Sequence, residues 1–234
     1  MPSVASVLRY ARSHGIRQTM AAAVRFAKEA RDRWSEAGFD RKYGTDTGGV
    51  MDDMEQLGVR TAHAKHAFGY EAIQVNVFNR IMADLQLYPP SYTFIDFGSG
   101  KGRAVMLAAE WHFASVLGVE HSSVLHQTAM ENCERLRSKN PAVSPISLHC
   151  RDAVELEIPA GNLVCFFYNP FDGTLMRRVL DNLAAAYDRL PRKLVVVYRN
   201  PSCSEVFDAY PFLRLARSNP SYQIFHAASR EGVD

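Results

Sequence analysis

Residues 93–103 read Thr-Phe-Ile-Asp-Phe-Gly-Ser-Gly-Lys-Gly-Arg. Thr93 to Phe97 are the apolar and β-branched residues of a short buried strand. Gly98, Gly100 and Gly102 follow as a tight turn, since glycine takes positive φ without strain and lets a ligand come close to the backbone. A helical pattern then runs to Glu110. Strand, turn and helix N-terminus offer free N–H groups and a favourable dipole, which is a nucleotide-binding corner. The dinucleotide fingerprint is G-x-G-x-x-G. Here the spacing is G-x-G-x-G, with Arg103 in place of the third glycine and Asp96 two residues before the first.

On either side, strand and helix patterns alternate. Glu71 to Leu87 reads as a helix, with Ile73, Val77, Ile81 and Leu85 repeating every four residues and Pro89-Pro90 beyond its end. After the corner, strands are expected at Ser115–Val119, Pro145–Cys150, Asn162–Tyr168 and Lys193–Arg199. Helices are expected at Ser122–Ser138 and Thr174–Arg189, and two short runs, Leu213–Ala216 and Tyr222–His226, read as an edge hairpin. Apolar strands alternating with helices predict an α/β fold, a doubly wound, mostly parallel seven-strand sheet covered on both faces. Ligands of such sheets bind beyond the C-terminal strand ends. The second strand ends at Val119-Glu120, where an acidic side chain can accept both ribose hydroxyls of an adenosine ligand.

The chain resembles the class I S-adenosyl-L-methionine (SAM) methyltransferases from about Phe39 to Phe225, and within them an uncharacterised bacterial group. Four features carry the resemblance: Phe39–Thr47, Asp96–Arg103, Gly118-Val119-Glu120 and Tyr168-Asn169-Pro170-Phe171. The glycine turn and Glu120 also resemble the seven-strand histone lysine methyltransferases, which have Asn-Asn-Phe where this chain has Asn169-Pro170-Phe171. The resemblance implies SAM as methyl donor, S-adenosyl-L-homocysteine (SAH) as product, and a transfer enzyme. It implies cofactor contacts from Asp96, Gly98, Ser99, Gly100, Gly102, Arg103 and Glu120. Asp96 either tunes the turn or meets the cofactor ammonium through water. Asp152-Ala153 would meet the adenine, with Asp152 as a helix-capping residue the alternative. The loop Tyr43, Thr45, Asp46 and Thr47 would close over the methionine end, or else is a surface turn. Asn169, Pro170 and Phe171 resemble the Asn/Asp-Pro-Pro-Tyr/Phe signature of amino-group methyltransferases. An Asn oxygen there would accept the hydrogens of an amine nucleophile, in a reaction where the cofactor carries the activation and the protein positions a lone pair. Asn169 would also touch the cofactor, and Tyr70, Tyr168 and Phe171 would line the acceptor site. The acceptor is expected to be a protein or small molecule. The alternatives are a nicotinamide-dependent oxidoreductase on the same fold and a non-catalytic binding protein recruited through its N-terminus.

The chain has 234 residues, 47% hydrophobic and 22% charged, enough for one sizeable core. Residues 1–50 read as a basic helix and loop, with a helix over Val4–Trp34, and 51–234 as the main domain. Residues 1–42 hold nine Lys/Arg against four Asp/Glu, so a net charge of +2 conceals a basic arm on a slightly acidic body. Such an arm suits nucleic acid, anionic lipid or an acidic protein, or is simply a solvated helix face; no aromatic-basic pattern singles out nucleic acid. His63 and His66 have no third ligand in view, so no metal is expected. Cys133, Cys150, Cys165 and Cys203 form no C-x-x-C pair, and Cys150 and Cys165 fall in apolar runs that read as core. With no apolar run long enough for a membrane span and no secretory signal, a cytoplasmic location is expected.

Overall fold

The structure, a computed structural model, describes residues 38–51 and 69–227. The expected N-terminal helix and the His63–His66 pair lie outside the described residues. Residues 38–43 are helical (α1). The remaining elements are β1 (Val50–Met51), β2 (Tyr70–Glu71), α2 (Val75–Leu85), β3 (Tyr92–Phe97), α3 (Arg103–Glu110), β4 (Ser115–Glu120), α4 (Ser123–Lys139) and β5 (Ile146–Cys150). They continue with β6 (Asn162–Tyr168), α5 (Gly173–Arg189), β7 (Leu194–Arg199), β8 (Leu213–Ser218) and β9 (Tyr222–Ala227).

β3 to β9 form one sheet in the order β5-β4-β3-β6-β7-β9-β8. β3 to β7 pair in parallel, and β9 runs antiparallel between β7 and β8. Residues 163–167 of β6 and 194–198 of β7 are buried without alternation, because helices cover both faces. On one face, Phe78 of α2 meets Phe94 and Phe166 edge-on, with ring centroids 5.9 and 5.8 Å apart. Burial of a side chain of that size contributes about 2–3 kcal/mol. α3 lies on the same face, and its residues from Arg103 to Ala109 are all buried. On the other face, Leu175, Met176, Val179, Leu180 and Leu183 form the apolar stripe of α5. They join the core that holds Phe97 and Phe167, whose rings stack 4.7 Å apart.

Three local expectations are corrected. The Gly38–Val50 stretch is helical in its first half rather than all loop. The helix expected from Glu71 begins at Val75, because Tyr70–Glu71 pairs antiparallel with Val50–Met51. Cys150 is exposed at the end of the edge strand β5, whereas Cys165 is core; all four cysteines are free. Among the described residues no helix is long and apolar enough to cross a membrane.

Candidate functional site

β3 is the strand at which the sheet's order reverses, with β4 on one side and β6 on the other. Beyond the C-terminal ends of these strands lies a cleft holding about 900 Å³ of free space, part of it open to solvent. Asp96, Gly98, Ser99, Gly100, Arg103, Glu120, Asp152, Ala153, Tyr70, Tyr168, Pro170 and Phe171 all line it. Those sequence-predicted residues are brought together from five separate segments.

The glycine turn forms the floor. Gly98 and Gly100 take φ of +80° and +53°. A Cβ on Gly98 would lie 2.6 Å from Pro170 Cβ, and one on Gly100 would overlap the ring of Tyr70. The turn therefore needs glycine for conformation and for space. Its N–H groups are engaged within the protein. Those of Gly98 and Ser99 both donate to the Val119 carbonyl (2.9 and 3.0 Å), that of Gly100 to Glu120 Oε2 (2.9 Å), and that of Gly102 to the Ser99 carbonyl (2.8 Å). Gly102 packs under α4 against Ala129 and is absent from the cleft wall.

Two buried carboxyls stand over this floor. Glu120 also accepts the Ser122 N–H on Oε1 (2.8 Å), with His121 Nδ1 3.2 Å from the same oxygen. Asp96 is 3% exposed. Burial, helped by the charge of Glu120, pushes its carboxyl up to about 8. Near neutral pH Asp96 thus tends to hold its proton.

Arg103 is buried at the start of α3. Its Nε donates to Thr47 Oγ1 and its Nη2 to Asp40 Oδ2 at 3.1 Å, while Nη1 is buried with no partner among the described residues. Ser99 Oγ and His121 Nε2 are also buried without partners among the described residues. All three residues line the cleft. Unsatisfied buried polar atoms are uncommon in folded proteins, and three of those in the described residues gather at this cleft. His121, immediately after Glu120, was not picked out from the sequence; its position next to an acidic strand end was the available signal.

Asp152 accepts the Val154 N–H at 3.0 Å and caps the short turn Ala153–Glu155, so the capping alternative describes at least one of its oxygens.

The expected cofactor loop does not line the cleft. Tyr43 is buried against Phe39 and donates to Glu110. Thr45 and Thr47 donate their hydroxyls to Asp40 Oδ1 at 2.7 and 2.6 Å. Asp46 pairs with Lys101 at 3.2 Å, and the amide of Asn132 spans the loop backbone, accepting from Asp46 N and donating to Asp46 O. The loop instead reaches the cleft through two neighbours: Arg103, and Tyr70, whose hydroxyl donates to the Thr47 carbonyl at 2.6 Å. Asp40, which organises this latch, lies within the Phe39–Thr47 motif, but the sequence reading gave it no role of its own.

Asn169 is also turned away. It follows the end of β6 with φ +42°, and its Oδ1 accepts from the Ser202 hydroxyl and, at 3.3 Å, from the Tyr198 hydroxyl. That oxygen is therefore occupied rather than offered to an amine. Tyr168 and Phe171 do line the cleft, and the Arg199 guanidinium lies 5.3 Å from the Tyr168 ring. No group of His, Cys, Asp and Glu among the described residues is arranged to hold a metal.

No protein-family model matches the sequence, and no curated protein matches it. Solved structures do resemble the fold. A predicted N6-adenine-specific DNA methylase from Listeria monocytogenes superposes on 76% of this chain with a TM-score of 0.51 and 11% identity. The chain spans about half, 55%, of that protein's length. A SAM-dependent methyltransferase from Aquifex aeolicus matches 75% of this chain and 97% of its own (TM-score 0.49, 10% identity). Magnesium protoporphyrin IX methyltransferase from Synechocystis, with bound SAM, matches 86% and 95% (TM-score 0.47, 15% identity). The Listeria likeness establishes the fold: a class I methyltransferase-type α/β sheet.

Proposed function

We propose that this protein is a SAM-dependent methyltransferase. The observation that carries this reading is where the turn's amides go. A dinucleotide's pyrophosphate is held by free N–H groups of the glycine turn. Here the N–H groups of Gly98, Ser99, Gly100 and Gly102 all donate to acceptors within the protein. That favours a ligand with no phosphate over a nicotinamide dinucleotide.

The cleft's own groups fit SAM. Arg103, with a buried nitrogen that has no partner among the described residues, suits the carboxylate of the cofactor's amino-acid end. Asp96, its proton loosened by an arriving cation, suits the ammonium. Glu120 suits the ribose, and Asp152-Ala153 the adenine. When bound, SAM supplies a methyl group already activated on a sulfonium. The chain's task is then to bind, orient and keep water away: Pro170 closes on Gly98, and Tyr70 on Gly100.

We take the acceptor to be an amine nitrogen, on a protein lysine or a small molecule. Support comes from the resemblance of Asn169-Pro170-Phe171 to the amino-group signature and of the turn to the histone lysine enzymes. With its Oδ1 bonded to Ser202 and Tyr198, Asn169 acts in this reading by shaping the strand end beside Tyr168 and Phe171 rather than by accepting the amine hydrogens.

Calorimetric titration with SAH, with NADH alongside, tests the proposal. Micromolar SAH binding, no NADH binding and loss of SAH binding in Glu120→Ala are expected. NADH binding without SAH binding refutes it.

A further inference from the structure

The strand-end carboxylate of Glu120 is already heavily used. A carboxylate offers about four lone-pair directions. Gly100 N–H takes one on Oε2, Ser122 N–H takes one on Oε1, and His121 Nδ1 lies 3.2 Å from Oε1. One direction is left, whereas a ribose presents two hydroxyl hydrogens. The Glu120 contact assigns the imidazole hydrogen to Nδ1, which makes Nε2 of the neutral ring an acceptor. That atom is buried, has no partner among the described residues, and belongs to a residue of the cleft wall.

We infer that His121 Nε2 is a second acceptor for the nucleoside end of the ligand, so that Glu120 and His121 each take one hydroxyl of a ribose. This rests on the proposal that the cleft takes the adenosine part of SAM. The inference assigns His121 a binding role that a buried carboxylate with one free direction cannot fill alone. The acceptor role also requires the neutral ring, since an imidazolium carries a hydrogen on Nε2 and cannot accept one from a hydroxyl. Glu120 and Asp152 are the acidic groups that face the ring, and Arg151 lines the same cleft. Burial favours the neutral ring, but the bond and charge from Glu120, with the charge of Asp152, outweigh it and raise the imidazole above its usual range. Nucleoside binding should therefore weaken as pH falls.

The experiment titrates the full chain, wild type and His121→Phe, with adenosine, 2′-deoxyadenosine and 3′-deoxyadenosine at pH 8. In the wild type each missing hydroxyl should weaken binding about 5- to 10-fold, the worth of one hydrogen bond. In His121→Phe one penalty should vanish and the other remain. In wild-type protein with 15N-labelled histidine, the His121 Nε2 resonance should move on saturation with adenosine, a reading independent of how well the variant folds. Both penalties surviving in His121→Phe, or an unmoved Nε2 resonance, overturns the inference. If SAH still binds the wild type in that case, the cofactor reading stands; if neither SAH nor adenosine binds, both fall.

Discussion

Asp96→Asn should make the ligand-free protein less sensitive to alkali. The Asp96 carboxyl moves from an ordinary 3.8 to about 8 in the folded chain, chiefly through burial and then through Glu120. The raised folded value fixes the sign: stability is greatest while both states are protonated, and is lost as pH rises towards 8. Between pH 6 and 8 the unfolded chain has released this proton and the folded chain keeps it. Each pH unit in that window costs about 1.4 kcal/mol. Two units give about 2.7 kcal/mol, and above pH 8 the slope ends. For a chain of this size 1 kcal/mol is worth about 2–4 °C. The wild type should therefore lose roughly 5–11 °C more in melting temperature than Asp96→Asn between pH 6 and pH 9. Asparagine keeps the shape and removes the titration, so the difference between the two proteins isolates this one group. The assay is scanning calorimetry of both proteins at matched ionic strength. Parallel pH profiles would refute the reasoning. Saturating SAH should flatten the wild-type slope, because its ammonium lets the folded carboxylate ionise.

Two further outcomes follow from packing. Gly100→Ala places a Cβ within the Tyr70 ring at a positive φ and should cost more than about 2 kcal/mol, read as a lowered melting temperature; adding Tyr70→Ala should recover part of the loss, since it clears the overlap but not the strain. Asp40→Ala leaves the Thr45 and Thr47 hydroxyls, the Thr47 N–H and one Arg103 nitrogen without their acceptor. It should cost about 2–4 kcal/mol and speed amide exchange at Thr47, and an unchanged exchange rate there would contradict the latch.

The strands were legible because a parallel sheet covered on both sides demands unbroken apolar runs. Asn162–Tyr168 was placed to the residue, and most other ends fell within two. The positions of the glycine turn, Asp96 and Glu120 were legible for a similar reason: each lies at the C-terminal end of an apolar strand run. What escaped the sequence depends on distant partners. β2 exists because Val50–Met51 lies alongside Tyr70–Glu71. The loop around Thr47 faces Asp40 and Arg103 instead of the cleft, because a buried guanidinium needs acceptors and the loop supplies them. Asn169 turns away because Tyr198 and Ser202 arrive from the end of β7, 29 and 33 residues later. His121 looked ordinary because nothing in its residue type reveals that its ring would be half engaged by the preceding side chain.

The self-contained hydrogen bonding of the glycine turn also limits what the scaffold can become. Arg103→Gly would restore the spelling of a dinucleotide fingerprint, yet the Gly98, Ser99 and Gly100 amides would still point to Val119 and Glu120. Recruiting a phosphate-bearing cofactor would require dismantling the seam between two strand ends, and a single substitution in the turn does not do that.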